Sequence, residues 1–144
     1  MLIPKKVKHK KTFRQKKIGI ENRGTELVFG AYGIKSLDNK WINARQLEAA
    51  RRAIVRYLRK GGKMWIRVFP TIPVTKKGSE MPMGGGKGAV DYYIYPAKPG
   101  RILFEISGIS LDKAKEAFSK AGDKLPIRTK IVVSESPKKK EINL

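Results

Sequence analysis

The first seventeen residues hold eight lysines and arginines and no acid. Lys5, Lys6, Lys8, Lys10, Lys11, Arg14, Lys16 and Lys17 supply the charge, and His9 adds one more polar group among them. No other feature constrains the fold as much. A segment of this kind repels itself and has too few apolar groups to offset the entropy of ordering. It cannot build a packed element of its own, so residues 1–17 are expected to order only on a polyanion. The arm is expected to span 1–24, closing in Asn22-Arg23-Gly24.

The whole chain continues the theme. It has 33 Lys and Arg against 12 Asp and Glu, a formal charge of +21 over 144 residues. Solubility alone is usually reached with a net charge of about 2–8, so a counter-charged partner is implied. Nucleic acid is favoured over an anionic membrane or an acidic protein. There is no cysteine, hence no disulfide, thiolate metal site or cysteine nucleophile. No apolar run approaches the ~20 residues of a membrane span, and no apolar stretch follows the basic start as in a secretory signal. A transit peptide would be rich in Arg and Ser, whereas this arm is Lys-rich with Thr12 as its one hydroxylated residue up to Lys17. A cytoplasmic location is expected, with an organelle as the second possibility.

Past the arm, apolar patterning predicts one domain over 25–133 and a polar tail over 134–144. Thr25 to Gly30 and Ile34 to Lys40 read as short strands. Asn43 is placed to cap a helix running to about Lys60, where Gly61-Gly62 stops it. Its Leu47, Ala50, Ile54 and Leu58 share one stripe, while Arg45, Arg52, Arg56 and Arg59 fall on nearly the opposite side. Arg51 adjoins that basic stripe, and Glu48 is the one acid near it. The stripe reads as a nucleic-acid face, the plain alternative being a solvated surface. Lys63 to Phe69 alternates as a strand, with Trp65, Arg67 and Phe69 on one side. Residues 76–88 form a long loop with five glycines. Residues 89–95 and 101–107 read as strands paired in a hairpin across Pro99-Gly100. Ser110 opens a second helix with Leu111, Ala114, Phe118 and Ala121 on one stripe and Gly122 at its close. Pro126 to Val133 is the last strand. The expected class is α+β, a mostly antiparallel sheet with two helices.

Gly84-Gly85-Gly86-Lys87-Gly88 is not a phosphate-binding P-loop. That motif needs Ser or Thr after the lysine to hold magnesium, and Gly88 stands there. It also leads into a strand rather than a helix, unlike a dinucleotide fingerprint. Its use is instead close approach to phosphates, since glycine backbone carries no side chain to keep RNA away. Lys76 and Lys77 at its start and Lys87 at its end add charge. A loop of thirteen residues is long for a compact domain, which favours function over mere connection. No catalytic constellation assembles around the single histidine, and no metal site, cofactor or enzyme activity is expected. Trp41, Trp65, Tyr92, Tyr93 and Tyr95 are expected mostly in the core, with stacking on bases as the alternative.

These segments resemble the bacterial and organellar family of large-subunit ribosomal protein sixteen, relatives of the archaeal and eukaryotic L-ten-e proteins. The resemblance rests on Met1-Leu2-Ile3-Pro4-Lys5-Lys6, on Phe29-Gly30 with Tyr32-Gly33, and on Trp41-Ile42 leading into Ala44–Ala53. Gly62-Lys63-Met64-Trp65-Ile66-Arg67-Val68-Phe69-Pro70, Met83 to Gly88, Lys98 to Glu105 and Lys124 to Ile127 continue it in order. It implies an α/β-hammerhead type of fold and a structural protein that binds 23S rRNA. It also implies a place beside aminoacyl-site tRNA near the peptidyl transferase centre, among neighbouring large-subunit proteins, not as a homo-oligomer. The loop tip, Met81, Pro82, Met83, Gly84, Gly85, Gly86, Lys87 and Gly88, would face tRNA. The arm and the arginine stripe, with Lys63, Arg67, Lys76 and Lys77, would hold rRNA. Pro82 stands where the family has an arginine, hydroxylated in some members, so that modification is not carried over. Gly78 and Ser79 likewise replace a proline and an aliphatic residue. A general nucleic-acid binder acting outside the ribosome is the competing expectation.

Overall fold

The computed structural model describes residues 1–14, 18–58 and 61–134. Arg59, Lys16, Lys17 and all of the expected tail except Ser134 lie outside them. Among the described residues the order is β1 (Tyr32–Ser36), β2 (Lys40–Asn43), α1 (Ala44–Val55), β3 (Lys63–Ile66), β4 (Ile72–Lys76), β5 (Ala89–Ala97), β6 (Ile102–Ser107), α2 (Leu111–Gly122) and β7 (Thr129–Val133). The fold is α+β, as the patterning predicts, but its strands divide between two antiparallel sheets. One runs β3-β6-β1-β7 and the other β2-β5-β4.

The division overturns the hairpin expected around Pro99-Gly100, because β5 and β6 lie in different sheets. The turn instead carries the chain from one sheet to the other. It is pinned there by Gly100 N donating to Ser36 O at 2.8 Å and Ser36 N donating to Arg101 O at 2.9 Å. The single strand expected over Ile34 to Lys40 is likewise split between sheets, with Asp38 at the crossing taking a salt bridge from Arg128 at 2.7 Å. β4 has no counterpart in the sequence reading, since Pro73 argues against a strand. It is tolerated because β4 is an edge strand and has no second partner awaiting its missing N–H.

Asn43 caps α1 as expected. Its side chain accepts from Arg45 N at 3.1 Å, and Gln46 closes a capping box by accepting from Asn43 N at 2.9 Å. The helix ends at Val55, short of the expected Lys60, and Tyr57 and Leu58 continue as a tighter turn bonded to Ile54 and Val55. Ser110 occupies the N-cap of α2 without a side-chain cap bond. The two helices pack on one another and bury Leu47, Ala50 and Ile54 against Ala114, Phe118 and Ala121, with Ile34, Phe104 and Ile106 of the larger sheet in the same cluster.

Residues 25–30 form no strand. They cross the second face of β6, which is why that strand is buried along its length up to Ile106. Gly30 passes so close that a Cβ there would meet Ile106 O at 2.6 Å. The segment turns its amides toward Glu105 instead of a neighbouring strand, so its backbone partners are a carboxylate and not a ladder.

Candidate nucleic-acid interface

The arm is laid along the domain rather than projecting from it. Leu2 packs against the core, and Lys5, Lys6, Lys8, His9, Lys10, Lys11 and Arg14 are all exposed. Leu2 holds one end, and at the other the Arg14 guanidinium lies 4.9 Å from the centre of the Trp41 ring. Between them Lys5, Lys6, Lys8, His9 and Lys10 are exposed to solvent, as self-repulsion requires, while Lys11 and Thr12 meet the glycine loop.

The exposed face of α1 forms one wall of a groove. Arg45 and Arg52 line it from α1 and Arg56 from that helix's C-cap, with Lys120 from the last turn of α2, Lys124 just past its end, Met1 at the margin and a volume of about 740 Å³. The two lysines were missed in the sequence because their pairing with α1 depends on the helix–helix contact, not on any pattern within α2. The groove is not wholly cationic. Glu48 receives Arg51 at 2.6 Å and Arg52 at 3.2 Å, and Asp123 also lines it. The Arg51 guanidinium beside Glu48 holds that carboxyl down at about 2 from an ordinary 4.5. Arg51, half-buried, is thus turned to an intramolecular partner, while Arg45 and Arg56 remain unpaired by any carboxylate among the described residues.

The glycine loop projects between β4 and β5. Gly84, Gly85 and Gly86 have φ of 113°, 71° and 96°, a left-handed run that L side chains adopt at a cost, and nothing lies within 4 Å of where their Cβ atoms would be. Met81, Pro82, Met83 and Lys87 are exposed along with them, Met83 completely. Lys77 at the start of the loop braces the tip, its Nζ donating to Gly84 O at 2.6 Å. It is also clasped to the arm: Lys87 Nζ donates to Thr12 O at 2.6 Å, and Lys11 Nζ donates to Lys87 O at 3.0 Å. Arm and loop, separate in the sequence, are therefore one continuous basic surface.

Other residues fall elsewhere. Lys63 and Lys76 are exposed on edge strands β3 and β4. Arg67 is directed inward, its guanidinium on the buried carboxylate of Glu105. The aromatic residues expected in the core sit at half-buried positions, and the largest fully buried rings are Phe104 and Phe118. Trp65 stacks on Phe29 with ring centres 6.0 Å apart, while Trp41 and Tyr92 line a cavity under the arm. Among the described residues no helix is long and apolar enough to cross a membrane.

The surface arm, the basic groove between the helices and the bare glycine loop lie on a chain whose residues 4–132 match the family model of ribosomal protein L16p/L10e. That match covers most of the chain, and the protein belongs to this family of structural proteins of the large ribosomal subunit.

Proposed function

We propose that the protein binds 23S rRNA through its arm and the α1–α2 groove, and presents the glycine loop to tRNA in the aminoacyl site near the peptidyl transferase centre. The reading rests on family membership together with one observation: five cationic side chains on two helices and just past their ends, Arg45, Arg52, Arg56, Lys120 and Lys124, converge on a single groove. A groove of this kind follows a phosphate backbone without reading bases. The loop suits close approach to a second RNA, because its tip is glycine backbone with open space around it.

Sedimentation of ribosomal subunits at increasing salt tests the reading. The protein is expected to travel with the large subunit and to leave only at high salt. Neutralising six to ten phosphates should lower affinity by roughly 10³–10⁵ between 50 and 200 mM salt, by the duplex DNA scale. Recovery mainly in the free pool under conditions that keep ribosomes intact, or binding to any duplex with no preference for rRNA, overturns it. The tRNA contact is tested separately by a photo-crosslinker at Met83, which should label aminoacyl-site tRNA on assembled subunits.

A further inference from the structure

The outer face of the smaller sheet is not bare. Trp41 pairs with Pro96, and Val74 pairs with Tyr92, so Trp41, Val74 and Tyr92 share one face of the β2-β5-β4 sheet. The opposite face carries Ile42 and Ala97 into the core. Arm residues Phe13 and Arg14 pass over the outer face, and between arm and sheet lies a cavity of about 420 Å³ that Lys87 also lines. Its walls are of two kinds. Trp41, Tyr92 and Phe13 offer flat aromatic surface, and Val74 an aliphatic floor. Arg14 stands over Trp41 at 4.9 Å, and the Lys87 ammonium is 5.9 Å from the centre of the Phe13 ring.

Among the described residues neither Arg14 nor Lys87 forms a salt bridge with a carboxylate. Lys87 has three donors, of which Thr12 O takes one at 2.6 Å. The site therefore combines a π surface for a planar group with two unneutralised cations for an anion, in a space of ligand size. A lipid tail would not use the cations inside the cleft, and an acidic peptide would not use the rings. A nucleotide uses both: unpaired bases in RNA are held by stacking on aromatic or guanidinium planes, and their phosphates by Arg and Lys.

We propose that this cleft accepts one unstacked RNA nucleotide, the base against the Trp41–Tyr92 side and the phosphate between Arg14 and Lys87. The proposal rests on the rRNA-binding reading above and adds to it a defined pocket for a single base. Thr12 and Thr75 at the lining supply polar groups, but stacking dominates, so the cleft tolerates any base.

The chain has two tryptophans, Trp41 and Trp65, so Trp65→Phe leaves Trp41 as the reporter inside the cleft. Full-length Trp65→Phe protein is titrated with AMP and UMP, and in parallel with ribose 5-phosphate and inorganic phosphate. Both nucleotides are expected to quench Trp41 saturably, and the two controls to leave it unchanged. Arg14→Gln and Tyr92→Leu, each added to Trp65→Phe, should weaken the nucleotide response by roughly fivefold or more, with far-ultraviolet circular dichroism intact. An equal response to ribose 5-phosphate, or no response to millimolar nucleotide, overturns the cleft. Salt-dependent binding of large-subunit rRNA by the same samples separates the two readings. If it persists without nucleotide quenching, the cleft alone fails; if it too is absent, the rRNA reading fails with it.

Discussion

The Glu105 carboxylate, with no exposure to solvent, is enclosed by the Arg67 guanidinium and the main-chain amides of Val28, Phe29 and Gly30. Four donors thus satisfy one buried anion, and the segment 25–30 is tied to β6 through that anion. Removing one partner of such a pair leaves the other charge uncompensated and costs about 3–5 kcal/mol. Glu105→Leu and Arg67→Met are each expected to lower urea stability by an amount of that order, with Arg67→Met leaving the salt dependence of RNA binding unchanged. A flattened salt dependence in Arg67→Met at full stability would return Arg67 to the RNA face.

That relationship also marks where the sequence stopped being legible. Helix α1 could be read because its information is local: Asn43 caps it, Gln46 answers three residues later, and Leu47, Ala50 and Ile54 repeat at helical spacing. The segment 25–30 could not, because its apolar run resembles a strand and its true partner, Glu105, is more than seventy residues away. Arg67, just past β3, raises the same difficulty: alternation over Lys63 to Phe69 marks its side but not what covers that side, which is the carboxylate of Glu105. The split into two sheets escaped because Pro99-Gly100 is as good a hairpin turn as a crossing. Of the interface, the charges were legible and their grouping was not. Lys120 and Lys124 join the arginine groove only through packing of α1 on α2, and the Lys11–Lys87 clasp joins parts of the chain far apart in sequence.

The groove should behave as electrostatics predicts. Arg45, Arg52 and Arg56 are exposed, so replacing them together by Gln should cost little stability. Each lost phosphate contact should flatten the slope of log affinity against log salt by about 0.7–0.9. Filter binding of large-subunit rRNA across a salt series checks this. An unchanged slope shows that the face is merely solvated, and unfolding shows that it is structural.

The loop glycines should separate function from stability. Alanine at Gly84, Gly85 or Gly86 meets no neighbour, but each position needs a left-handed backbone that costs an L residue about 1–2 kcal/mol. The strain is local to an exposed loop. The melting temperature of the Gly85→Ala protein should therefore stay close to that of the parent, while the loop takes a new path. On reconstituted large subunits the variant should assemble normally and bind aminoacyl-site tRNA more weakly. Normal tRNA affinity in Gly84→Ala, Gly85→Ala and Gly86→Ala alike would remove the loop from that role.

Glu48 gives a pH signature. Its carboxyl is held at about 2 in the folded protein against an ordinary 4.5, through hydrogen bonding to Arg51 and then Arg52. The folded value is the lower one, so the unfolded chain binds the proton more readily. The contribution of this group is complete above the ordinary value and is lost as pH falls through that window. Arg52 is largely exposed, so solvent screening keeps its share of the pairing small. Glu48→Gln should remove this part of the acid sensitivity: urea midpoints measured above and below the window should differ less than in the parent. The same substitution releases Arg51 and Arg52 from their internal acid, so rRNA affinity at neutral pH should rise and its salt slope steepen. Unchanged affinity would mean that the two arginines contact no phosphate even when free.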